Sequence, residues 1–593
     1  MRKQEAHERQ CSDDYHLLCL TCDAAVELFK RIVQSEPIES CIIKFVAFLC
    51  TLLNVQTATV CSGVAQTYGL YRLQAQYIYI WLQLKMDSGA LCHLLLPEHC
   101  PPPVPPNGTW HVNLPPSKPP VEPWPMPNPD LKKHRVLHLG DIHYDPEYTP
   151  GAPIFCDEPL CCRWTPTSNA SSARAPYWGV SSETCDTPVY TFEHMLQHIA
   201  STERNIDYIV WTGDLAPHDV WAYTRERHAQ FVRNLTSSFA CHFPGVPVYW
   251  AVGNHEAVPC DLLPPNAVAP AKFSASWLYD LFAEEWLENR WVNESQRDTI
   301  KWRSSFVAQP FRGLRVISLN DIYCDGDNYW RLLDNSDPDG TLQWLTDQLT
   351  DAENAGDKVH LIYHIPNGHC ASDEWSSNMY DIVNRQVIYE HSFESTIRLI
   401  SNGHTHKDEF SLFFDGMNAS ARPTVVSVIA PSTEARLNPA FKIYTIEQQT
   451  WEAYSMKSLS PLDWAKLATG LNENDQRFDE YLRYLYRYSN VSCDSDCRHD
   501  FRCRIFKSFS GRSDLCDHVQ PQKALTSDDQ QHSNKDNYIA VADDYVHSFT
   551  IRKKVVRQKL ALDDLTPEDV ARMHSKLNQL DERLKSGLCS GPL

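Results

Sequence analysis

Five short runs of Asp, Asn and His, each placed where an apolar run ends, constrain this chain more than any other feature. They are GDIH (Gly140 to His143), GDLAPHD (Gly213 to Asp219), GNHE (Gly253 to Glu256), IYHIPNGH (Ile362 to His369) and NGHTH (Asn402 to His406). The first four follow or include the ends of VLHL, YIVWT, VYWAV and KVHLIY, which read as buried strands, and the fifth follows IRLIS. From about residue 131 to 435 such runs alternate with helical stretches, among them Thr191 to Arg204 and Thr341 to Asn354. That alternation predicts an α/β architecture. A strand that ends in Asp, Asn or His carries a metal-ligating side chain into the loop beyond the sheet.

The residue types specify the chemistry further. Asp141 and His143 flank Ile142, and an extended segment there points both to one side, toward one ion. Asp214 offers a carboxylate whose two oxygens can bridge two cations, and Asn254 a neutral carbonyl oxygen. His364, His404 and His406 supply imidazoles; the last two, at i and i+2, serve one ion each if the loop turns. Seven ligands with one bridging carboxylate suit two ions roughly 3.5–4 Å apart. Mixed imidazole and carboxylate ligation favours Zn²⁺ over Mg²⁺ or Ca²⁺, with Fe or Mn in one position left open. A single short motif of this kind is usually structural; five in order are not.

At 593 residues the chain has room for two to four domains. A formal charge of −21 excludes the broad basic surface of a nucleic-acid binder, and 25 histidines would gain charge in an acidic compartment. The 21 cysteines show no CxxC…CxxC zinc pattern and point to an oxidising, secretory compartment. Six N-x-[ST] sequons, at Asn107, Asn169, Asn234, Asn293, Asn418 and Asn490, agree with it. The first residues, MRKQEAHERQ, are charged and lack the apolar core of a secretory signal, so the expectation is that the start as given is incomplete. The stretch from Cys41 to Val60 carries Lys44 and several polar residues and reads as a core helix, not a membrane span.

Residues 15–104 read as a small helical leaf whose seven cysteines include six, all but Cys41, in a stapling arrangement. Nested pairing, Cys19–Cys100, Cys22–Cys92 and Cys50–Cys61, would staple it, although six cysteines allow fifteen pairings. Residues 105–130 form a proline-rich linker, within a stretch from 101 that holds 13 prolines, and act as a semi-rigid spacer. Residues 131–435 are the expected catalytic domain. Residues 436–517 add a Tyr-rich helix (Asp475 to Tyr488) and the cluster Cys493, Cys497, Cys503 and Cys516. The tail, 518–593, reads as largely disordered, with one helix start near Thr566.

The order of the five motifs resembles the calcineurin-like metallophosphoesterase superfamily. Within it, GDLAPHDVW, AVGNHE, HIPNGHC and NGHTHKDEF resemble the acid sphingomyelinases, and the leaf resembles a saposin-B-type domain that engages lipid. The resemblance spans roughly residues 15–517. It implies a metallophosphoesterase β-sandwich flanked by helices, with a small all-α saposin-like domain and a helical, disulfide-stapled C-terminal region. It implies two Zn²⁺ per chain, one on Asp141, His143, Asp214 and His406, the other on Asp214, Asn254, His364 and His404. It also implies the bridges Cys156–Cys161, Cys162–Cys185, Cys324–Cys370, Cys493–Cys497 and Cys503–Cys516. Cys11, Cys41, Cys241, Cys260 and Cys589 are left unassigned.

Phosphodiester cleavage calls for a nucleophile, charge neutralisation at phosphorus and a proton for the leaving alkoxide. His218 and His255 sit beside ligand-bearing motifs and are the candidates for proton donation and transition-state stabilisation. The plainer alternatives are that His255 orients Asn254 and that His218 bonds to backbone. Asp327, Tyr329 and Trp330 are candidates to hold a quaternary ammonium head group, against the alternative of a surface loop with buried aromatics. The implied activity is phospholipase C-type cleavage of sphingomyelin to ceramide and phosphocholine by a secreted or lysosomal enzyme. Its expected partner is a membrane sphingolipid reached through the leaf, with no nucleic acid and a monomeric chain. A soluble nucleotide or small-ester phosphodiesterase or phosphatase is the second reading, and a lipid carrier with a degenerate enzyme domain the third.

Overall fold

The computed structural model describes residues 132–164, 173–182, 184–267, 273–332, 336–370, 372–384, 396–434, 436–446, 460–489 and 491–510, with 56–70, 110–115 and a few single positions besides. Twelve strands lie among them: β1 His134–Leu139, β2 Tyr144–Asp145, β3 Thr187–Pro188, β4 Ile206–Trp211, β5 Val248–Trp250, β6 Phe306–Phe311, β7 Leu314–Ser318, β8 Lys358–Ile362, β9 Ile397–Asn402, β10 Glu409–Phe414, β11 Pro423–Ile429 and β12 Lys442–Ile446. One sheet has the order β12-β1-β4-β5 and a second β10-β11-β9-β8-β7-β6. Within the first, β1, β4 and β5 run parallel; within the second, β7, β8, β9 and β11 do.

The predicted strands are present because their apolar runs have two faces to bury. The last four residues of β1 and of β4 are buried without alternation, as parallel strands covered on both sides require. The sheets pack face to face across one core that includes Val136, Ile209, Trp250, Phe306, Val316 and Ile362. Fully burying a side chain of this kind is worth about 1.5–3 kcal/mol. Polar groups at the seam are paired: His360 lies 3.0 Å from the Tyr208 hydroxyl and 2.8 Å from that of Ser401. Helix α1 Ala58–Leu70 precedes the sheets, and helices cover their outer faces, among them α2 Val189–Thr202, α3 Arg225–His242, α4 Ser276–Glu288, α5 Arg297–Arg303, α6 Thr341–Ala355 and α7 Asp373–Asn384. Helix α1 meets the short turn Val220–Ala222, where a Cβ on Gly63 would come within 2.9 Å of the Trp221 carbonyl oxygen.

Three C-terminal helices, α8 Pro461–Glu473, α9 Asp475–Leu485 and α10 Ser495–Phe506, build a second core on the outside of β10 and β11. Leu467, Leu471, Phe478, Leu485, Phe501 and Ile505 pack there against Phe410, Leu412, Phe414 and Val426. Side chains of Ser460, Asn474 and Asp494 cap the three helices, and Pro461 occupies the first position of α8. Strand β12 pairs antiparallel with β1, so the first sheet runs on to Ile446. The expected boundary at 435 therefore falls inside the sheet domain; a strand that returns across the chain leaves no local signal of where it docks.

Disulfides Cys22–Cys92, Cys50–Cys61, Cys156–Cys161, Cys162–Cys185, Cys493–Cys497 and Cys503–Cys516 are formed. Cys324 and Cys370 are not bridged, contrary to the implied pairing. They are buried side by side, but the Cys370 thiol points at the carbonyl oxygens of Cys324 (3.4 Å) and Ser372 (3.5 Å). Cys241 is exposed and Cys260 buried, both outside the disulfides. Asn234, Asn293 and Asn418 are exposed. Cys11, Cys19, Cys41, Cys100, Cys589, Asn107, Asn169, Asn490 and, but for Val519, the tail from 518 lie outside the described residues. No described helix is long and apolar enough to cross a membrane.

Candidate metal centre

All five motifs meet at the carboxyl ends of the parallel strands, the edge where open α/β sheets place their ligands. Motifs one to three leave β1, β4 and β5; four and five leave β8 and β9. The backbone achieves the convergence by turning left-handed at the ligand positions. Asp141, His143, Asp214, His404 and His406 all have positive φ, between 42° and 74°. Such conformations cost about 1–3 kcal/mol each in a non-glycine residue and persist where the surroundings enforce them. Asp141 and His143 thus share a side through two left-handed residues, not through the extended segment expected. Close approach also explains the motif glycines: a Cβ on Gly253 would lie 2.2 Å from Asp214 Oδ1, and one on Gly213 2.5 Å from the Gly253 nitrogen.

Two groups of ligand atoms result. Asp141, His143, Asp214 and His406 each bring one within 4.8 Å of the others, and so do Asp214, His364 and His404. Asp214 belongs to both. Asn254 Oδ1 joins the second group, 2.9 Å from His364 Nε2 and 3.2 Å from His404 Nδ1. Its amide nitrogen donates to Asp261 Oδ1 at 2.9 Å, which fixes the oxygen toward the histidines. All seven residues predicted as ligands are buried and brought together.

The donor set fits cations. The Ala216 carbonyl takes the Nδ1–H of His143 at 2.9 Å, away from the cluster, and His406 Nδ1 lies 2.8 Å from Glu434 Oε2. Their Nε2 atoms face each other at 3.2 Å. Burial pushes both rings below their ordinary value, His406 to about 4. Asp141 Oδ2 is buried with no hydrogen-bond partner. A cation between these atoms answers all three observations. In the second group Asp214, against the effect of burial, lifts His364 to about 10, so the carboxylate draws a proton where a cation would compete with it.

His218 and His255 lie against the first group, with ring centroids 4.0 and 4.7 Å from that of His143. Each is held by Nδ1. His218 Nδ1 is 2.8 Å from Asp186 Oδ1, and His255 Nδ1 is 2.9 Å from the Tyr223 hydroxyl, which donates to the Pro217 carbonyl at 2.7 Å. Tyr223 therefore accepts from His255, which fixes the Nδ1–H tautomer and leaves Nε2 for the site. The head-group candidates fare otherwise. Trp330 is fully buried against Phe273, with ring centroids 6.0 Å apart, and presents no face to a ligand. A large aromatic in a loop is more often core, and this one is. Asp327 is also buried, and the Tyr329 side chain lies outside the described residues.

Several groups that the motifs did not single out hold the ligands in place. Glu256 accepts the backbone N–H of Gly253 (2.7 Å), Asp214 (3.0 Å) and Leu215 (3.1 Å), stitching the second and third motifs together. Burial, then Asp214, raises its carboxyl to about 8. Asp321 accepts from the backbone of His364 (3.1 Å) and Ile365 (2.9 Å). Asp186, Glu434 and Arg436 bear on His218 and His406. Of these only Glu256 carried a signal, as the last residue of GNHE; the others stand alone in sequence.

Residues 134–408, which contain all five motifs, match the calcineurin-like phosphoesterase family. Sphingomyelin phosphodiesterase 2 of Caenorhabditis elegans is 32% identical over 561 residues, covering 84% of this chain and 88% of that protein. The sphingomyelin phosphodiesterase of Homo sapiens is 31% identical over 565 residues, 85% of this chain and 84% of its own length. Cyclic GMP-AMP phosphodiesterase SMPDL3A of Homo sapiens is 25% identical over 65% of the chain and 89% of its length. With two phosphodiesterases above 30% identity across most of both chains, and two buried ligand groups sharing one carboxylate, this chain belongs to the sphingomyelin phosphodiesterase family and is a phosphodiester hydrolase built on a calcineurin-like domain.

Proposed function

We propose that the chain hydrolyses sphingomyelin to ceramide and phosphocholine, using two zinc ions at a membrane surface. The observation that carries the metal half is the pair of facing His143 and His406 Nε2 atoms beside the unpartnered Asp141 oxygen. Asp141, His143, Asp214 and His406 would hold one ion, and Asp214, Asn254, His364 and His404 the other. Two zinc ions there would activate water and offset charge on the phosphoryl oxygens. The chain's own residues do the rest. His218 and His255, each anchored through Nδ1, keep Nε2 for the substrate: one to give the leaving oxygen its proton, the other to bind the phosphoryl group as charge grows. General acid help is worth roughly a hundredfold or more for an alkoxide leaving group.

The relatives' names support the substrate, and the leaf expected over 15–104 supports the membrane setting, since the scissile bond lies in the head-group layer. Disulfides in three separate regions support a secreted or lysosomal location. The deciding experiment supplies zinc to the purified chain and assays sphingomyelin liposomes and a cyclic dinucleotide in parallel. Faster turnover of the dinucleotide would replace this substrate assignment with the nucleotide reading. Removing residues 1–104 should impair hydrolysis in liposomes far more than hydrolysis of a soluble diester; equal effects refute the role of the leaf.

A further inference from the structure

One buried charged chain links the two sides of the site through residues that none of the five motifs contains. Asp186 directly follows Cys185 of the Cys162–Cys185 bridge and is fully buried. Both of its oxygens engage His218: Oδ2 accepts the backbone N–H at 2.6 Å, and Oδ1 lies 2.8 Å from ring Nδ1. Arg436, itself buried, donates from Nη2 to the same Oδ1 at 2.8 Å and brings that nitrogen to 2.9 Å from His218 Nδ1, while its Nε pairs with Glu434. Glu434 in turn lies 2.8 Å from His406 Nδ1. The Arg436 backbone is fastened too, accepting the Ser181 hydroxyl at 2.7 Å.

We infer that Asp186 is a positioning residue for proton donation by His218, and that Arg436 holds the Asp186 carboxylate in register with the metal centre. The inference rests on the reading of His218 as proton donor given above. A carboxylate that holds the backbone N–H and Nδ1 of one histidine fixes ring position and ring rotation, and ionised Asp186 is the acceptor for an Nδ1–H there, with Arg436 Nη2 2.9 Å from the same nitrogen. With Nδ1–H committed to Asp186, the proton on Nε2 is the one that passes to the departing oxygen as the P–O bond breaks. Nδ1 keeps its own proton throughout. Burial opposes ionisation of Asp186, yet His218 and Arg436 hold its carboxyl well below the usual range, so it stays an acceptor. Arg436 serves two masters, because through Glu434 the same guanidinium also bears on the orientation of His406. The proton donor and a proposed metal ligand are thereby set in one rigid frame.

A proton donor matters only when the leaving group is poor, and that separates positioning from general support of the fold. Asp186→Asn keeps the shape but replaces one acceptor oxygen with a donor. It should lower kcat on sphingomyelin in mixed micelles on the order of a hundredfold, and on the 4-nitrophenyl ester of phosphocholine by less than about tenfold, with KM nearly constant. Equal loss on both esters by a folded, metal-replete variant overturns the inference. If Asp186→Asn does not fold, Arg436→Gln takes its place: a smaller but still leaving-group-selective loss supports the inference, and an unselective one overturns it. His218→Ala tests the underlying reading separately. If it too hits both esters equally, His218 is not the donor and the proposed mechanism falls first; if it is selective while Asp186→Asn is not, only the positioning role falls.

Discussion

The loops that end the parallel strands and the segments that brace them make the same site by opposite means. At the strand ends, five of the seven proposed ligands sit in left-handed backbone, with side chains projecting into one buried pocket. Bracing comes instead from the disulfide-tied stretch ending at Asp186 and from the segment carrying Glu434 and Arg436. Among its described residues, the stretch from Tyr148 to Cys185 has scarcely any regular structure and a small core of its own, Tyr148, Ile154, Ala175 and its cysteines. Covalent bridges and buried ion pairs stand there where the sheets rely on apolar area. Arg163, between Asp145 (2.6 Å) and Asp219 (2.7 Å), is part of that bracing. Ligand atoms thus come from a rigid, densely packed frame, and their orientation from groups whose strength depends on charge and desolvation. Removing a ligand should destroy the chemistry, whereas removing a brace should loosen it.

Asp214→Asn is the sharpest test of the first half. Asp214 belongs to both ligand groups, so its loss should abolish turnover and lower bound metal below two ions per chain by elemental analysis. Retention of both would break the two-metal account. Glu256→Gln probes a brace that touches three backbone N–H groups without belonging to either ligand group. An amide supplies one acceptor where the carboxyl group holds three donors, and activity or metal affinity should fall about 10–100-fold. A loss as complete as that of Asp214→Asn would erase the distinction between ligand and brace.

His360 provides a control at the sheet seam, away from the metal centre. Burial pushes its imidazole down to about 3. Below its ordinary value of about 6.5 the unfolded chain binds a proton that the folded chain refuses, so stability falls as pH falls through that range. Between pH 7 and pH 5 this one residue should cost the wild type about 2 kcal/mol that His360→Gln does not lose, read from denaturant unfolding of both chains. A parallel fall in the two proteins would mean that His360 is protonated in the folded state.

Much of the centre was legible because strand ends are local. An apolar run followed by Asp, Asn or His gives both the strand and the side chain it delivers, and β1, β4, β5, β8 and β9 lie where those runs are. His218 and His255 were legible for the same reason, as neighbours of motif residues. Trp330 misled because composition cannot say which face of a loop aromatic is covered, and its ring turned out to lie in the core. Cys324 and Cys370 came together as expected, yet unbridged. Proximity of two cysteines is set by the fold; the Cys370 thiol turns toward its nearest carbonyl oxygens.

By itself, the sequence determined the α/β class and the strand-end positions of the proposed ligands. Each of these rests on residues near one another along the chain, or on a repeated pattern. Only the tertiary structure decided that β12 closes the first sheet against β1, and that Asp141 and His143 share a side through left-handed backbone. It alone joined Asp186 to Arg436, 250 positions apart, around His218. A single carboxylate or guanidinium has no periodicity to betray it. Its partner is chosen when folding excludes water and leaves a buried charge only one place to go.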